Sequence, residues 1–275
     1  MAAIDFISTG DRYKDEVQKQ WNEDACGSHY VKGAAPGTLD WYLEAEDYRY
    51  RTYAPWMPKT MEFADHRGEA VLEVGAGMGT DLVQFAANGA HCTDLDLSSG
   101  HLEHARRNFA LRHLEGRFKH GDGESLPFED NEFDLVYSNG VIHHTPDTQG
   151  VIAEMLRVVK PGGKAIIMVY AENSWHYWNR IVLDQGIVNG DFESVSPGEI
   201  MSRSVEISSQ EQRPLVKVYT AARLREMFSA FENIKICKRQ LMTEELPRAM
   251  RWMPVNVLMR SLGWNLIVKA TKPGR

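Results

Sequence analysis

The feature that most constrains this chain is the run Glu73-Val74-Gly75-Ala76-Gly77-Met78-Gly79-Thr80. A short apolar stretch, Ala70–Val74, leads into it, and Asp81–Ala87 follows with apolar residues at Leu82, Phe85 and Ala86, a helical spacing. A strand that turns through glycines into a helix brings bare backbone to the helix N-terminus, where a ligand can approach closely. A dinucleotide fingerprint, Gly-x-Gly-x-x-Gly, would place its third glycine at position 80. Here position 80 is Thr and the third glycine is at 79. Glu73 also stands two residues before the first glycine, where its charge would repel a pyrophosphate and attract an ammonium group. The loop therefore suits a nucleoside with an amino-acid tail better than one with a phosphate tail.

The flanking pattern is that of a parallel α/β sheet. His91–Leu97 reads as a second strand, with Ser98 or Ser99 capping a helix that carries Leu102, Ala105 and Phe109 on one face. Arg117–His120 and Phe133–Ser138 are strands three and four. Thr145 and Pro146 are expected to cap and open a helix whose stripe is Ile152, Met155, Leu156 and Val159. Pro161-Gly162-Gly163 is expected to break it before a fifth, nearly all-apolar strand, Lys164–Tyr170, of the kind buried on both faces. Thr220 caps a further helix, and Phe231–Lys238 and Asn265–Ala270 read as strands six and seven. The expected fold is α/β: a Rossmann-like, seven-stranded, mostly parallel sheet with helices on both faces, plus an N-terminal helical lid and inserts.

Four segments follow from this reading: 1–66, an aromatic-rich helical lid; 67–170, the nucleoside-binding core; 171–217, an irregular insert lining the acceptor site; and 218–275, the last helix and strands, carrying an amphipathic insert at 241–262. Asp96 follows Glu73 by 23 residues and ends the second strand, where an acid in doubly wound folds bonds the ribose hydroxyls. Asp94 lies on the same face, but Asp96 is nearer the carboxyl end of the strand.

The stretches VLEVGAGMGTD (71–81), TDLDLSS (93–99), GDGESLPFEDNEFDLVYSNGVIHHTPD (121–147) and RVVKPGG (157–163) together resemble the class I S-adenosylmethionine-dependent methyltransferases, most closely the ubiquinone/menaquinone-biosynthesis-like branch (methyltransferase type 11). The likeness is strong over about 67–170 and specific for the cofactor rather than the acceptor. It implies S-adenosyl-L-methionine as cofactor, with S-adenosyl-L-homocysteine as product. Glu73, Gly75, Ala76, Gly77, Gly79 and Thr80 would surround the methionine moiety, with Thr80 or Asp81 at its carboxylate or amine. Asp96 would hold the ribose and Leu97 pack on the adenine. Asp122 would accept from the adenine amino group, with the Gly123 amide nearby, and Asn139 and Gly140 would lie beside the sulfonium.

Methyl transfer is an in-line displacement, so the protein's main task is alignment. A base is needed only where the acceptor must lose a proton. The candidates are His143, His144 and Tyr170. Trp21, Tyr53, Tyr170 and His176 are expected to wall an apolar or aromatic acceptor. No metal site is expected. A nicotinamide oxidoreductase is the competing class, opposed by Glu73 and Thr80, and a cofactor-binding protein without turnover is a third.

Composition narrows the partners. With 31 Lys and Arg against 38 Asp and Glu, a net charge of −7 is a poor start for binding a phosphate backbone, so no nucleic-acid partner is expected. The partner that the resemblance implies is a small-molecule methyl acceptor. No run approaches the ~20 apolar residues of a membrane span, so no stable membrane insertion is expected. The first residues carry early acids and no apolar stretch, which reads as no secretion signal. Three distant cysteines (Cys26, Cys92, Cys237) suit a reducing, cytoplasmic setting.

Overall fold

The sheet order decides where a ligand can sit. In this computed structural model, which describes residues 6–7, 9–23, 25–204 and 214–274, three helices precede the first strand. They are α1 (Arg12–Glu23), α2 (Leu39–Asp47), which runs on as a π-helical turn over Tyr48–Tyr53, and α3 (Met57–Thr60). Strands and helices then alternate: β1 (Ala70–Val74), α4 (Thr80–Ala87), β2 (His91–Asp96), α5 (Ser99–Leu111), β3 (Gly116–His120), β4 (Phe133–Asn139), α6 (Thr148–Val158) and β5 (Val159–Ala171). After a π-helical stretch over Tyr177–Val188 come α7 (Pro197–Ser204), β6 (Val218–Tyr219), α8 (Ala221–Met227), β7 (Glu232–Arg239), α9 (Val255–Leu262) and β8 (Asn265–Thr271). The strand order is β3-β2-β1-β4-β5-β8-β7, with β6 beside β5. Strands β1 to β5 are parallel, and β8 runs antiparallel to both β5 and β7. The order reverses between β1 and β4, the switch point at whose carboxyl edge such sheets bind ligands.

The all-apolar strands are explained by burial on two faces. Leu72, Val136, Ile167 and Val169 pack with Ile152 and Met155 of α6 and Leu224 and Phe228 of α8. Their neighbours Val71, Leu135, Ile166 and Met168 point the other way, onto Leu82 and Phe85 of α4 and Phe109 of α5. Ile166 and Ile167 are both fully buried, each stabilising the fold by about 1.5–3 kcal/mol. Ser98 caps α5 by accepting from His101 N at 3.1 Å, and Thr220 caps α8 through Arg223 N at 3.2 Å.

Four local expectations change. An eighth strand, the two-residue β6, joins the sheet. Asp147, not Thr145, caps α6, accepting from Gly150 N at 2.8 Å; Thr145 Oγ1 instead donates to Glu124. Pro161-Gly162-Gly163 does not separate helix from strand. Val159 already pairs with Phe133, and the Pro-Gly-Gly bulges from the ladder before Lys164 pairs with Leu135. Lys272 pins that bulge, accepting from Gly162 N and donating to Gly163 O, both at 2.9 Å. In the amphipathic insert only Val255–Leu262 is α-helical, after Pro254, and it buries Met259 while Trp252 and Val257 stay exposed. Residues 205–213 of the insert expected at 171–217 lie outside the described residues. No helix among the described residues is long and apolar enough to cross a membrane.

Candidate active site

The glycine loop turns where β1 ends. Gly75 has φ +82°, and a Cβ there would fall 2.5 Å from Val141 Cγ2, so both conformation and space demand glycine. Successive amides then face the acids of β2: Ala76 N donates to Asp94 Oδ1 at 3.3 Å and Gly77 N to Asp96 Oδ2 at 3.2 Å. Gly79 N-caps α4. Of the expected loop residues, Gly79 is off the cavity wall; its missing Cβ instead lets α4 approach α5, since a Cβ would meet Ala105 Cα at 3.1 Å. This corrects its expected cofactor contact.

The loop and the carboxyl ends of β1, β2 and β4 enclose one end of a cavity of about 590 Å³. Glu73, Gly75, Ala76, Gly77 and Thr80 line it at the loop. Asp96 and Leu97 line it beyond β2, Asp122 and Gly123 beyond β3, and Asn139 and Gly140 beyond β4. Asp94 is fully buried and lies off the wall, whereas Asp96 is on it. Asp96 is held rigidly, Oδ1 accepting from Ser98 N at 2.8 Å and Oδ2 facing His101 Nδ1 at 3.4 Å.

Carboxylates crowd this end. Asp81 is buried yet ionised: burial alone would raise its pKa, but Arg49 outweighs it and holds the carboxyl below its ordinary range. Arg49 grips it with two bonds, Nε to Oδ1 at 2.7 Å and Nη2 to Oδ2 at 2.8 Å. Tyr50 and Tyr137 donate their hydroxyls to it at 2.6 and 2.8 Å, and Asn139 Nδ2 donates at 3.1 Å. Glu73 has no such partner. Burial, then the charges of Asp81 and Asp94, push its pKa well up, and its buried Oε2 accepts no hydrogen bond among the described residues. A buried acid beside Asp81 and Asp94, with no cation bonded to it among the described residues, fits an arriving ammonium or sulfonium, whose charge would favour its ionised form.

The N-terminal helix covers this end. Lys14 of α1 bridges to Asp122 at 2.6 Å and to Glu124; burial would lower its pKa, but the two acids raise it. At the other end of α1, Asn22 Oδ1 accepts from Ser98 Oγ at 2.8 Å and Gly100 N at 3.0 Å. Trp21 stacks on His101, centroids 5.6 Å apart, and lines the cavity.

The other end is aromatic. Tyr30 stacks on Tyr48 at 4.2 Å, with Tyr53 at 6.4 Å from each, and Tyr53 lines the cavity. Tyr170 stacks on Trp264 at 4.5 Å, and His176 lies 4.7 Å from the same indole; all three line the cavity. The two adjacent histidines part company. His144 lines the cavity, its Nδ1 2.7 Å from Leu215 O. His143 is fully buried off the wall, 4.1 Å behind the Tyr170 ring, with neither ring nitrogen hydrogen-bonded among the described residues. Burial, and then His144, push its pKa well down. His143 is therefore withdrawn as a base candidate: the 3₁₀ turn Ile142–His144 sends it into the core.

Lys14, Arg49, Tyr50 and Tyr137 were not among the expected site residues. Nothing local marks them, because each acts on an acid far away in sequence. Among the described residues no group of three or more His, Cys, Asp or Glu is placed to hold a metal ion.

A doubly wound sheet with an acidic, glycine-lined crevice at its switch point defines a nucleoside-binding α/β protein. Residues 72–167 match the family described as methyltransferase domain. A demethylmenaquinone methyltransferase of Clavibacter sepedonicus is 37% identical over 112 residues, 41% of this chain and 45% of that protein. This chain spans about half the length of such curated relatives. A phthiotriol/phenolphthiotriol dimycocerosates methyltransferase of Mycobacterium leprae is 30% identical over 208 residues, 72% of this chain and 73% of that one. The solved geranyl diphosphate C-methyltransferase of Streptomyces coelicolor A3(2) shares the fold, with a TM-score of 0.60 at 12% identity, over 95% of this chain and 98% of that one. The chain belongs to the class I S-adenosylmethionine-dependent methyltransferases, of the ubiquinone/menaquinone-like type.

Proposed function

We propose that this chain moves a methyl group from S-adenosyl-L-methionine to a small acceptor with an apolar or aromatic body. The observation that carries the reading is the buried acid Glu73 at the glycine loop, whose Oε2 accepts no hydrogen bond among the described residues, near Asp96, which accepts from the Gly77 and Ser98 amides. When bound, the cofactor supplies a methyl carbon on a cationic sulfur, with a neutral thioether as leaving group. Asp96 holds the ribose hydroxyls and Asp122 the adenine edge, with Leu97 on its face and the Gly123 amide nearby. Glu73 takes the ammonium of the methionine tail, and Arg49, already clamped on Asp81, lies on the same wall for its carboxylate. Asn139 and Gly140 set the floor beneath the reactive carbon.

The remaining task is alignment, worth several kcal/mol where reacting atoms are held in line. Tyr53, Tyr170 and His176 clamp the acceptor, and α1, whose Trp21 stacks on His101 rather than on the acceptor wall, closes over the cofactor end. Where the acceptor must lose a proton, His144 receives it: with Nδ1–H donated to Leu215 O, the neutral ring carries its lone pair on Nε2.

Calorimetry tests the reading. S-adenosylhomocysteine should bind with micromolar affinity and NAD should not. The reverse result, or no binding of either, overturns it.

A further inference from the structure

Resting on the function just proposed, we infer that His101 is a positioning residue for Asp96, made a hydrogen-bond donor toward the ribose acid by the chain segment that follows α1. His101 stands in the first turn of α5, is 5% exposed and lines the cavity. Three separate parts of the chain fix its ring. Trp21 of α1 stacks on it, with 28° between the two planes. Cys26 N donates to Nε2 at 3.2 Å. Nδ1 lies 3.4 Å from Asp96 Oδ2. The ring also rests against the glycine loop, since a Cβ on Gly77 would lie 4.0 Å from its Cε1.

The Cys26 contact decides where the ring proton sits. A backbone amide can only donate, so Nε2 must present a bare lone pair. The neutral ring then carries its one proton on Nδ1, the nitrogen that faces Asp96. With the proton on Nε2 instead, the amide would meet an N–H and the carboxylate would meet a lone pair, and both contacts would repel. Asp96 has particular need of such a donor. Asp94 lies two residues earlier on the same strand and pairs with Glu73 of β1. Burial, and then the charge of Asp96, push the Asp94 pKa well up, so these acids oppose one another. The Ser98 and Gly77 amides hold Asp96 from the main chain at 2.8 and 3.2 Å. His101 adds a side-chain donor on the same oxygen as Gly77. Without it the carboxylate is freer to turn away from its neighbours, and the sugar hydroxyls meet an acceptor that is out of place.

Two measurements on the full chain test this. Nitrogen-15 NMR of histidine-labelled protein, with H101N identifying the resonance, should find the His101 proton on Nδ1 at pH 8. A proton on Nε2, or on both nitrogens, overturns the inference. Calorimetry then compares S-adenosylhomocysteine with its 2′,3′-dideoxy analogue. H101A should weaken S-adenosylhomocysteine about three- to tenfold, the scale of one hydrogen bond, and change the dideoxy analogue by about twofold or less, because the loss falls on the sugar hydroxyls. H101N, whose Nδ2 comes close to the place of Nδ1, should restore most of the loss. H101Q, whose amide reaches instead to the place of Nε2, should not. Equal losses for the two ligands would make His101 a prop for the fold and overturn the inference, as would no loss at all, or rescue by H101Q in place of H101N. Should H101A fail to fold, H101N against H101Q decides on the same terms. If wild-type protein binds no S-adenosylhomocysteine, the methyltransferase reading falls, and the ring spectrum of the protein alone still decides whether His101 donates to Asp96.

Discussion

The two ends of the cavity are built by different means. At the cofactor end, Glu73, Asp96, Asp122 and Asn139 stand at or just beyond the carboxyl ends of the four parallel strands β1 to β4, and loop amides bond the acids directly. At the acceptor end, Tyr53 comes from the π-helical turn after α2, Tyr170 and Asn265 from the antiparallel pair β5 and β8, and Gln240 from the residue that follows β7. The first end is acidic and held by main-chain hydrogen bonds; the second is aromatic, with two amides. Parallel strand ends converge on one small region, so their side chains cannot change without disturbing the backbone. Residues lent by a lid and inserts can change while the crevice stands. A family can therefore keep one cofactor and vary its acceptor.

If that division is right, substitutions should separate cleanly. The largest effect belongs to G75A. Left-handed backbone costs about 1–2 kcal/mol and the overlap with Val141 about 1–3 more, so denaturant unfolding should show a loss of about 2–5 kcal/mol. A loss below about 1 kcal/mol would mean that Val141 simply swings aside. Next comes R49M, which strands Asp81, whose side chain is 3% exposed. About 3 kcal/mol of stability should go, at the low end for a broken buried pair because Tyr50, Tyr137 and Asn139 still hold the acid. Asp81 titrates below its ordinary range in the fold, so its contribution is complete above the unfolded pKa near 4 and is lost as pH falls through the depressed folded value. The gap between R49M and wild type should narrow in acid; a gap constant from pH 7 to pH 3 would remove the ion pair from the account.

D96A should weaken S-adenosylhomocysteine binding roughly ten- to hundred-fold by calorimetry, as expected for lost hydrogen bonds to a charged group. Unchanged affinity would remove Asp96 from the ribose. The smallest effect is E73Q. Folding raises the pKa of Glu73, so the folded state keeps a proton that the unfolded chain gives up, and the ionised form opposes folding as pH climbs from about 4 to the raised value. The variant without ligand should be more stable than wild type at pH 8, by about 1 kcal/mol, with a smaller advantage at pH 5, while its affinity for S-adenosylhomocysteine falls. A lower melting temperature at pH 8 would show that Glu73 is needed by the fold itself.

The same division describes what could be read from the chain. Strands β1, β4 and β5 are marked by apolar runs, and Ser98 and Thr220 announce helix starts, because each signal lies within a few residues of what it specifies. The α6 cap was misplaced by two residues, since Thr145, Asp147 and Thr148 can all cap and only the partner of Thr145, Glu124, settles which does. His143 and His144 are identical neighbours, and one turn of 3₁₀ helix puts one on the cavity wall and the other behind Tyr170.

By itself the order of residues determined the doubly wound core, the glycine turn and the acids on the strand ends, all products of short-range periodicity and steric demand. Only the tertiary structure decided that Lys14 reaches Asp122, that Arg49 clamps Asp81, that Trp56 bonds Gln240 from 184 residues away, and that Asn265 Oδ1 finds no hydrogen bond among the described residues. Such contacts join segments whose separation along the chain carries no local signal, and they exist only once the sheet has brought its edges, lid and inserts together.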